Sequence, residues 1–153
     1  VARETDVWVE VTTLVIPTHN DGDDELRRLA GWLVEHVGPD TPLHLSAFHP
    51  DWKMTDLPRT PTETLRRARS LARSEGLRHV YTGNVHDREG DTTLCPGCGA
   101  ELIERDWYSL IAWQIGADEE GRGRCHHCGH HIAGVFEAEP GRWGARRLPI
   151  RIP

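Results

Sequence analysis

Four cysteines, all that the chain contains, fall in two Cys-x-x-Cys pairs. They are Cys95-Pro96-Gly97-Cys98-Gly99 and Cys125-His126-His127-Cys128-Gly129, with 26 residues between the pairs. Each pair can form a tight turn that brings two sulfurs onto one ion, and the Gly after it lets the backbone pass close, so that N–H groups point at sulfur. Two such turns supply four soft ligands in a tetrahedron, which suits Zn²⁺ and closes its coordination shell. Four thiolates on one Zn²⁺ carry a net charge of about −2 and leave no open position, so the expected site is structural rather than catalytic. Rubredoxin-like iron uses the same ligands. Disulfides would require an oxidising compartment. The opening residues, Val1-Ala2-Arg3-Glu4-Thr5-Asp6, are polar and acidic, unlike a secretory leader, and the cytoplasm is the expected location.

The chain has 153 residues, 37% hydrophobic and 27% charged, which fits one domain with a small appendage rather than disorder. The formal charge of −6 argues against a general nucleic-acid-binding surface. No apolar run approaches the roughly 18 residues of a membrane span.

Residues 8–17 (WVEVTTLVIP) read as a buried strand, and 18–22 as a turn. Leu26, Leu29, Ala30, Leu33, Val34 and Val37 form one apolar stripe of a helix that opens on Asp23-Asp24-Glu25 and ends at Gly38-Pro39. Residues 43–49 (LHLSAFH) give a second strand. A second helix opens at Thr60-Pro61-Thr62-Glu63, with Thr60 as cap and Glu63 closing a capping box. Leu65, Ala68, Leu71 and Ala72 make its inner face, and Gly76-Leu77 a Schellman-type ending. Residues 79–85 (HVYTGNV) give a third strand, and 86–91 a polar linker. The pattern β-α-β-α-β predicts an α/β fold with parallel strands and right-handed crossovers. Three strands alone leave edges and a face uncovered. The sheet is therefore expected to continue by self-association through its open edge, or to be the last part of a larger barrel. From Thr92 the composition shifts to short segments and Gly-rich turns, with strands expected over 102–105 and 132–136, as in a zinc ribbon. The tail, Arg142-Trp143-Gly144-Ala145-Arg146-Arg147, is basic and aromatic: either solvated or contacting phosphate or a partner.

In a parallel β/α arrangement ligands bind at the C-terminal strand ends. Here these carry Thr18, His19, Asn20 and Asp21; His49, Asp51, Trp52 and Lys53; and Tyr81, Thr82 and Asn84. His49, beside Pro50 and four residues before Lys53, could hold a ribose hydroxyl or a carboxylate, or be a plain surface histidine. His44 and Ser46 share one strand face, which reads either as the wall of a lined cavity or as a histidine satisfied in the core. Glu10 and Thr12 likewise share a face, where a carboxylate is costly unless paired or wet. His126, His127, His130 and His131 crowd the second knuckle, either as exposed residues, as a further metal site or as ligands that swap into the first. The candidate cofactor-binding residues are His49, Lys53, His44 and Asn20. The candidate metal ligands are Cys95, Cys98, Cys125 and Cys128.

Residues 7–53, with a strand ending Val15-Ile16-Pro17, an acidic turn, a helix and a strand ending Phe48-His49 before Lys53, resemble the late barrel strands of radical S-adenosylmethionine (SAM) activating enzymes of the pyruvate formate-lyase activase type. The phrases HLSAFHPDWKM, TPTETLRRARSLARSEGLRHVYTGNV and CPGCGAELIER extend the resemblance, from about Val7 to Phe136, to the radical SAM enzyme of the AmmeMemoRadiSam system. The resemblance implies that residues 1–90 are the C-terminal part of a partial (β/α) barrel, 91–140 a zinc-ribbon-like subdomain with a four-cysteine site and 141–153 a basic tail. It also implies that His49 contacts S-adenosylmethionine. The family's [4Fe–4S] cluster sits on an early Cys-x-x-x-Cys-x-x-Cys motif, which is absent here. The cluster and S-adenosylmethionine are therefore expected only in a full-length protein, and this chain is not expected to be catalytically competent alone. Its expected partners are the missing barrel half, a second copy, or a protein partner or substrate at the ribbon. The alternative is a stand-alone zinc-ribbon protein acting as a non-catalytic binding module.

Overall fold

The structure, a computed structural model, describes residues 4–5, 7–107 and 109–137. The chain divides into two units, Val1–Asp91 and Thr92–Pro153. The expected tail over 141–153 lies outside the described residues.

In the first unit, β1 (Val11–Val15), β2 (Leu43–Ala47) and β3 (Val80–Gly83) form one parallel sheet in that order. The crossovers are α1 (Asp23–His36) and α2 (Thr62–Ser74). Alternation on the strands decides the layering. Val15, Leu43, Leu45, Ala47 and Val80 join Leu26, Ala30 and Leu33 of α1 and Leu65, Ala68 and Ala72 of α2 in one buried cluster, so both helices cover the same face. The opposite face carries the register rows Thr12–His44–Tyr81 and Leu14–Ser46–Gly83. Thr12 and Leu14 are exposed there, Leu14 by 45%. The expected buried strand over 8–17 is thus a five-residue edge strand, buried on one face only.

The helix ends follow local chemistry. Leu77 N–H bonds Ala72 C=O (3.3 Å) and Gly76 N–H, at φ 109°, bonds Arg73 C=O (3.0 Å), the two bonds of a Schellman motif. The start of α2 departs from expectation. Its N-cap is Pro61, without a side-chain cap bond, and Glu63 pairs with Arg66 (2.8 Å) instead of closing a capping box. Thr60 is spent elsewhere: its hydroxyl donates to Val15 C=O (2.6 Å) and accepts Phe48 N–H (3.0 Å), tying together the C-terminal ends of β1 and β2. The expected linker over 86–91 instead contains a short helix, α3 (Arg88–Asp91). Asp87 anchors it, buried, accepting from Thr82 Oγ1 (3.1 Å) and from Arg66 (3.0 and 3.2 Å). A Cβ on Gly90 would overlap the Thr82 hydroxyl, which only glycine avoids.

In the second unit, β4 (Thr93–Leu94), β5 (Glu101–Asp106) and β6 (Ser109–Trp113) make one antiparallel sheet. A second antiparallel sheet comprises β7 (Ile115–Ala117), β8 (Gly123–Cys125) and β9 (His131–Ile132). The strand expected over 132–136 ends at Ile132. Beyond it Phe136 N–H bonds Gly121 C=O (2.9 Å) and the Phe136 ring occupies the space over Gly123 and Gly134, where a Cβ would stand 2.5 and 2.8 Å from it. Gln114 joins the sheets, its N–H on Leu102 C=O (2.7 Å) and its C=O on His126 N–H (3.2 Å). Among the described residues no helix is long and apolar enough to cross a membrane.

Replacing Thr60 by Val removes a buried donor and acceptor at constant shape. The expected loss is roughly 1–3 kcal/mol in a urea melt, with Thr60→Ser largely restoring it. A Val variant as stable as wild type would deny Thr60 this role.

Candidate functional site

The two knuckles are built alike. In the first, Cys95 N–H bonds Ala100 C=O (2.8 Å), Gly99 N–H bonds Cys95 C=O (2.9 Å) and Gly97 N–H points at Cys95 Sγ (3.3 Å). In the second, Cys125 N–H bonds His130 C=O (2.9 Å), Gly129 N–H bonds Cys125 C=O (2.9 Å) and His127 N–H points at Cys125 Sγ (3.4 Å). Gly99 and Gly129 sit at φ 75° and 72°, conformations that cost other residues about 1–2 kcal/mol. A Cβ at either would meet nothing within 4 Å. These glycines therefore serve the turn by left-handed backbone, not by the close approach that the sequence suggested.

The four sulfurs lie within 4.8 Å of one another. Cys95–Cys128 and Cys98–Cys125 are separated by 3.7 and 3.9 Å. Sulfurs at the ~2.3 Å Zn–S distance of a tetrahedron stand roughly 3.8 Å apart, whereas a disulfide needs about 2.05 Å. The donor set and its spacing fit one metal ion held by four thiolates. Cys95 and Cys125 are buried among Leu102, Ile103, Ile115 and Ile132, while Cys98 and Cys128 are exposed.

The protons tell the same story. Burial pushes the Cys95 thiol up. At Cys125 burial opposes ionisation, but the N–H groups of Cys128 and His127 and the neighbouring thiols outweigh it and bring it down to about 7. At Cys128 the His130 N–H favours the thiolate, yet Cys98, burial, Cys95 and Cys125 together push it up to about 12. Cys125 is thus poised to ionise, while Cys95 and Cys128 resist it. Among the described residues no second group of three or more ligating side chains forms, so the four knuckle histidines build no further metal site. All four are exposed, and the His130 ring fills the space over Gly97.

The strand-end candidates divide. Asn20 is consumed locally: its amide oxygen accepts Ile16 N–H (2.6 Å) and its nitrogen donates to Leu14 C=O (2.9 Å), so it holds its own loop. His49 is exposed, with Nδ1 2.8 Å from Pro50 C=O. A carbonyl only accepts, so Nδ1 is the donor in this bond and Nε2 is left for another partner. Lys53 Nζ lies 4.5 Å over the ring of Trp52, which is 81% exposed at φ 48°. His44 is away from the loops, on the face without helices. Its Nε2 donates to Glu10 (2.8 Å), whose other oxygen accepts Trp8 Nε1 (2.9 Å), and Tyr81 stacks on its ring (5.2 Å). The Glu10 carboxylate is thus paired. Sequence reasoning assigned Thr60 to a helix cap and did not pair Tyr81 with His44, because Val15 and His44 stand 45 and 37 residues from them in the chain.

The chain is 50% identical over 131 residues to an uncharacterized protein of Methanocaldococcus jannaschii, MJ0808, an alignment covering 86% of this chain and 38% of that protein. The chain thus spans well under half the length of this relative. No family model matches the chain, and no solved structure does.

A thiol must lose its proton to bind metal. With Cys125 at about 7 and Cys128 at about 12, loading near neutral pH releases more than one proton per ion, and apparent affinity climbs steeply with pH. Competition against a chromophoric chelator at several pH values measures this; a slope of one proton or fewer would contradict it. Chelation at fixed pH is expected to abolish the fold of 92–137, with its two- to six-residue strands, while the amide spectrum of the parallel sheet persists.

Proposed function

We propose that this chain is the C-terminal segment of a radical SAM family protein, bearing a structural zinc site of four cysteines and acting in the cytoplasm. The observation that carries the reading is the one-sided parallel sheet. Both helices cover one face, and the other presents the polar row Glu10–His44–Tyr81, as one arc of a (β/α) barrel would present its interior. Three further features support it: the resemblance at Phe48-His49 and Lys53, the exposed Nε2 of His49 at a strand's C-terminal end, and the longer relative. In that protein S-adenosylmethionine would meet His49 through a hydroxyl and Lys53 through an anionic group, the cofactor supplying the radical chemistry. Asn20, its amide engaged, would shape the loop rather than contact the cofactor. The cysteines here do not fit the cluster: all four converge on one site, and no Cys-x-x-x-Cys-x-x-Cys is present.

A second reading, a stand-alone ribbon acting as a binding module, draws on one observation: Trp107, Leu110 and Ile111 are exposed on and beside β6.

Metal analysis of the purified chain is expected to find one zinc per chain and no visible absorption. The full reading frame upstream is expected to encode Cys-x-x-x-Cys-x-x-Cys. Iron with visible absorption at the knuckles would overturn the structural assignment, and a reading frame without the motif would overturn the family assignment.

A further inference from the structure

Backbone strain gathers at one end of the parallel sheet. Among the described residues, four other than glycine hold positive φ: Thr18 (66°), Trp52 (48°), Asn84 (60°) and Trp107 (53°). The first three follow the C-terminal ends of β1, β2 and β3, the end at which parallel β/α folds bind their ligands. Asn adopts this conformation with ease, whereas for Thr and Trp it is a genuine outlier. Such outliers persist where neighbouring bonds enforce them, and they cluster at ligand sites. Trp52 is enforced in this way. The Asp51 carboxylate accepts Trp52 N–H (2.7 Å), and Met54 N–H bonds Asp51 C=O (3.0 Å). Asp51 and Met54 pair as an isolated antiparallel bridge, which closes a turn with Trp52 and Lys53 at its tip. The indole gains little packing from this place. It is 81% exposed, whereas Trp8, Trp32 and Trp107 are 44%, 55% and 53% exposed. Lys53 Nζ stands over the ring, 4.5 Å from its centroid, and fixes it from one side.

We infer that Trp52 is a specificity-determining residue that stacks on a planar aromatic ring of the substrate, with Lys53 positioning the indole. This rests on the reading of the C-terminal rim of the sheet as the mouth of the reaction site. The ligand class follows from the side chain. An indole held out in water by a strained, hydrogen-bonded turn adds nothing to the core, so its value lies in what it meets. Its flat π face favours another flat ring over an aliphatic group of equal size. One stacked ring is worth roughly 5- to 150-fold in affinity. Exposure separates substrate from cofactor. A bound cofactor has most of its surface enclosed, whereas the tip of an exposed turn meets a molecule arriving from solution. Lys53 joins the two roles: its ammonium rests on the indole and keeps its N–H donors for an anionic group, so a ring stacked on Trp52 lies beside whatever Lys53 holds.

NMR titration of this chain tests the inference. The indole N–H signal of Trp52, assigned by its loss in Trp52→Phe, is followed as benzamide, caffeine or the non-planar cyclohexanecarboxamide is added. A planar probe is expected to move it with an affinity at least about fivefold above that of cyclohexanecarboxamide. In Trp52→Gly, whose backbone glycine adopts freely, the Lys53 amide is expected to lose its response to the planar probes. The melting temperature of that variant is expected to stay at or above that of wild type. In the full reading frame, Trp52→Gly is expected to leave the affinity for S-adenosylmethionine within about twofold. No shift with either planar probe, or an equal shift with cyclohexanecarboxamide, would overturn the inference. So would a lower melting temperature in Trp52→Gly, which would make the indole a packing residue. A tenfold loss of S-adenosylmethionine affinity would also overturn it, by assigning the indole to the cofactor. Planar probes that move Trp52 in a protein without cluster cysteines would sink the radical SAM reading and leave the stacking residue standing. A cluster-bearing protein that binds S-adenosylmethionine while Trp52 stays silent to every probe would do the reverse.

Discussion

The convergence of four thiols on one point is the constraint on which the second unit depends. Among the described residues its strands run from two to six residues, and its buried cluster holds six side chains, two of them cysteines. So small a core cannot offset the conformational entropy of its own loops. A metal ion on four sulfurs contributes on the order of 10 kcal/mol and fixes both knuckles at once. The structure is arranged so that this contribution depends on charge. Backbone N–H groups favour ionisation at Cys125, while crowding by the other sulfurs opposes it at Cys128. A divalent cation removes that conflict.

The first unit rests on different physics. Its order comes from apolar burial on one face of a parallel sheet, reinforced where the strands end by Thr60 and where α3 docks by Asp87. Parallel sheets are ordinarily covered on both faces. Here the uncovered face is not apolar like the covered one. It carries a hydrogen-bonded row of Trp8, Glu10 and His44 with Tyr81 stacked on it, together with an exposed Leu14.

How much of this could be read in advance depended on how local the cause was. The knuckles, the helix stripes and the Gly76-Leu77 ending are set by residues a few positions apart, and sequence spacing shows them. Thr60 looked like a cap because Pro61 and Glu63 follow it. Its hydroxyl is claimed instead by Val15, 45 residues away, a competitor visible only once β1 and β2 are side by side. Asn20 looked like a ligand because it stands at a strand end, but an edge strand with unpaired groups claimed its amide first. The segment over 86–91 looked like a linker because it is polar. Its Asp87 is polar for an internal reason, to receive Thr82 and Arg66. In the ribbon the strand expected past Ile132 gave way to Phe136, whose ring finds its packing partners at Gly123 and Gly134 rather than along a ladder.

The two units are therefore incomplete in opposite senses. In the second unit four thiols are placed to take one metal ion, a set that leaves no open coordination position, and among the described residues its histidines form no second ligand group. The sheet is satisfied on one face and at one edge only. Its remaining groups are of a kind that an ion does not satisfy: main-chain groups of Thr12 and the N–H of Leu14, a polar row on the face without helices, and the exposed His49, Trp52 and Lys53 past the end of β2. Main-chain groups ask for a strand and exposed side chains ask for a ligand. The main-chain groups lie along the edge of β1, the polar row on the sheet face opposite the helices and His49 just past the end of β2, so what this unit leaves open is its sheet rather than its helices.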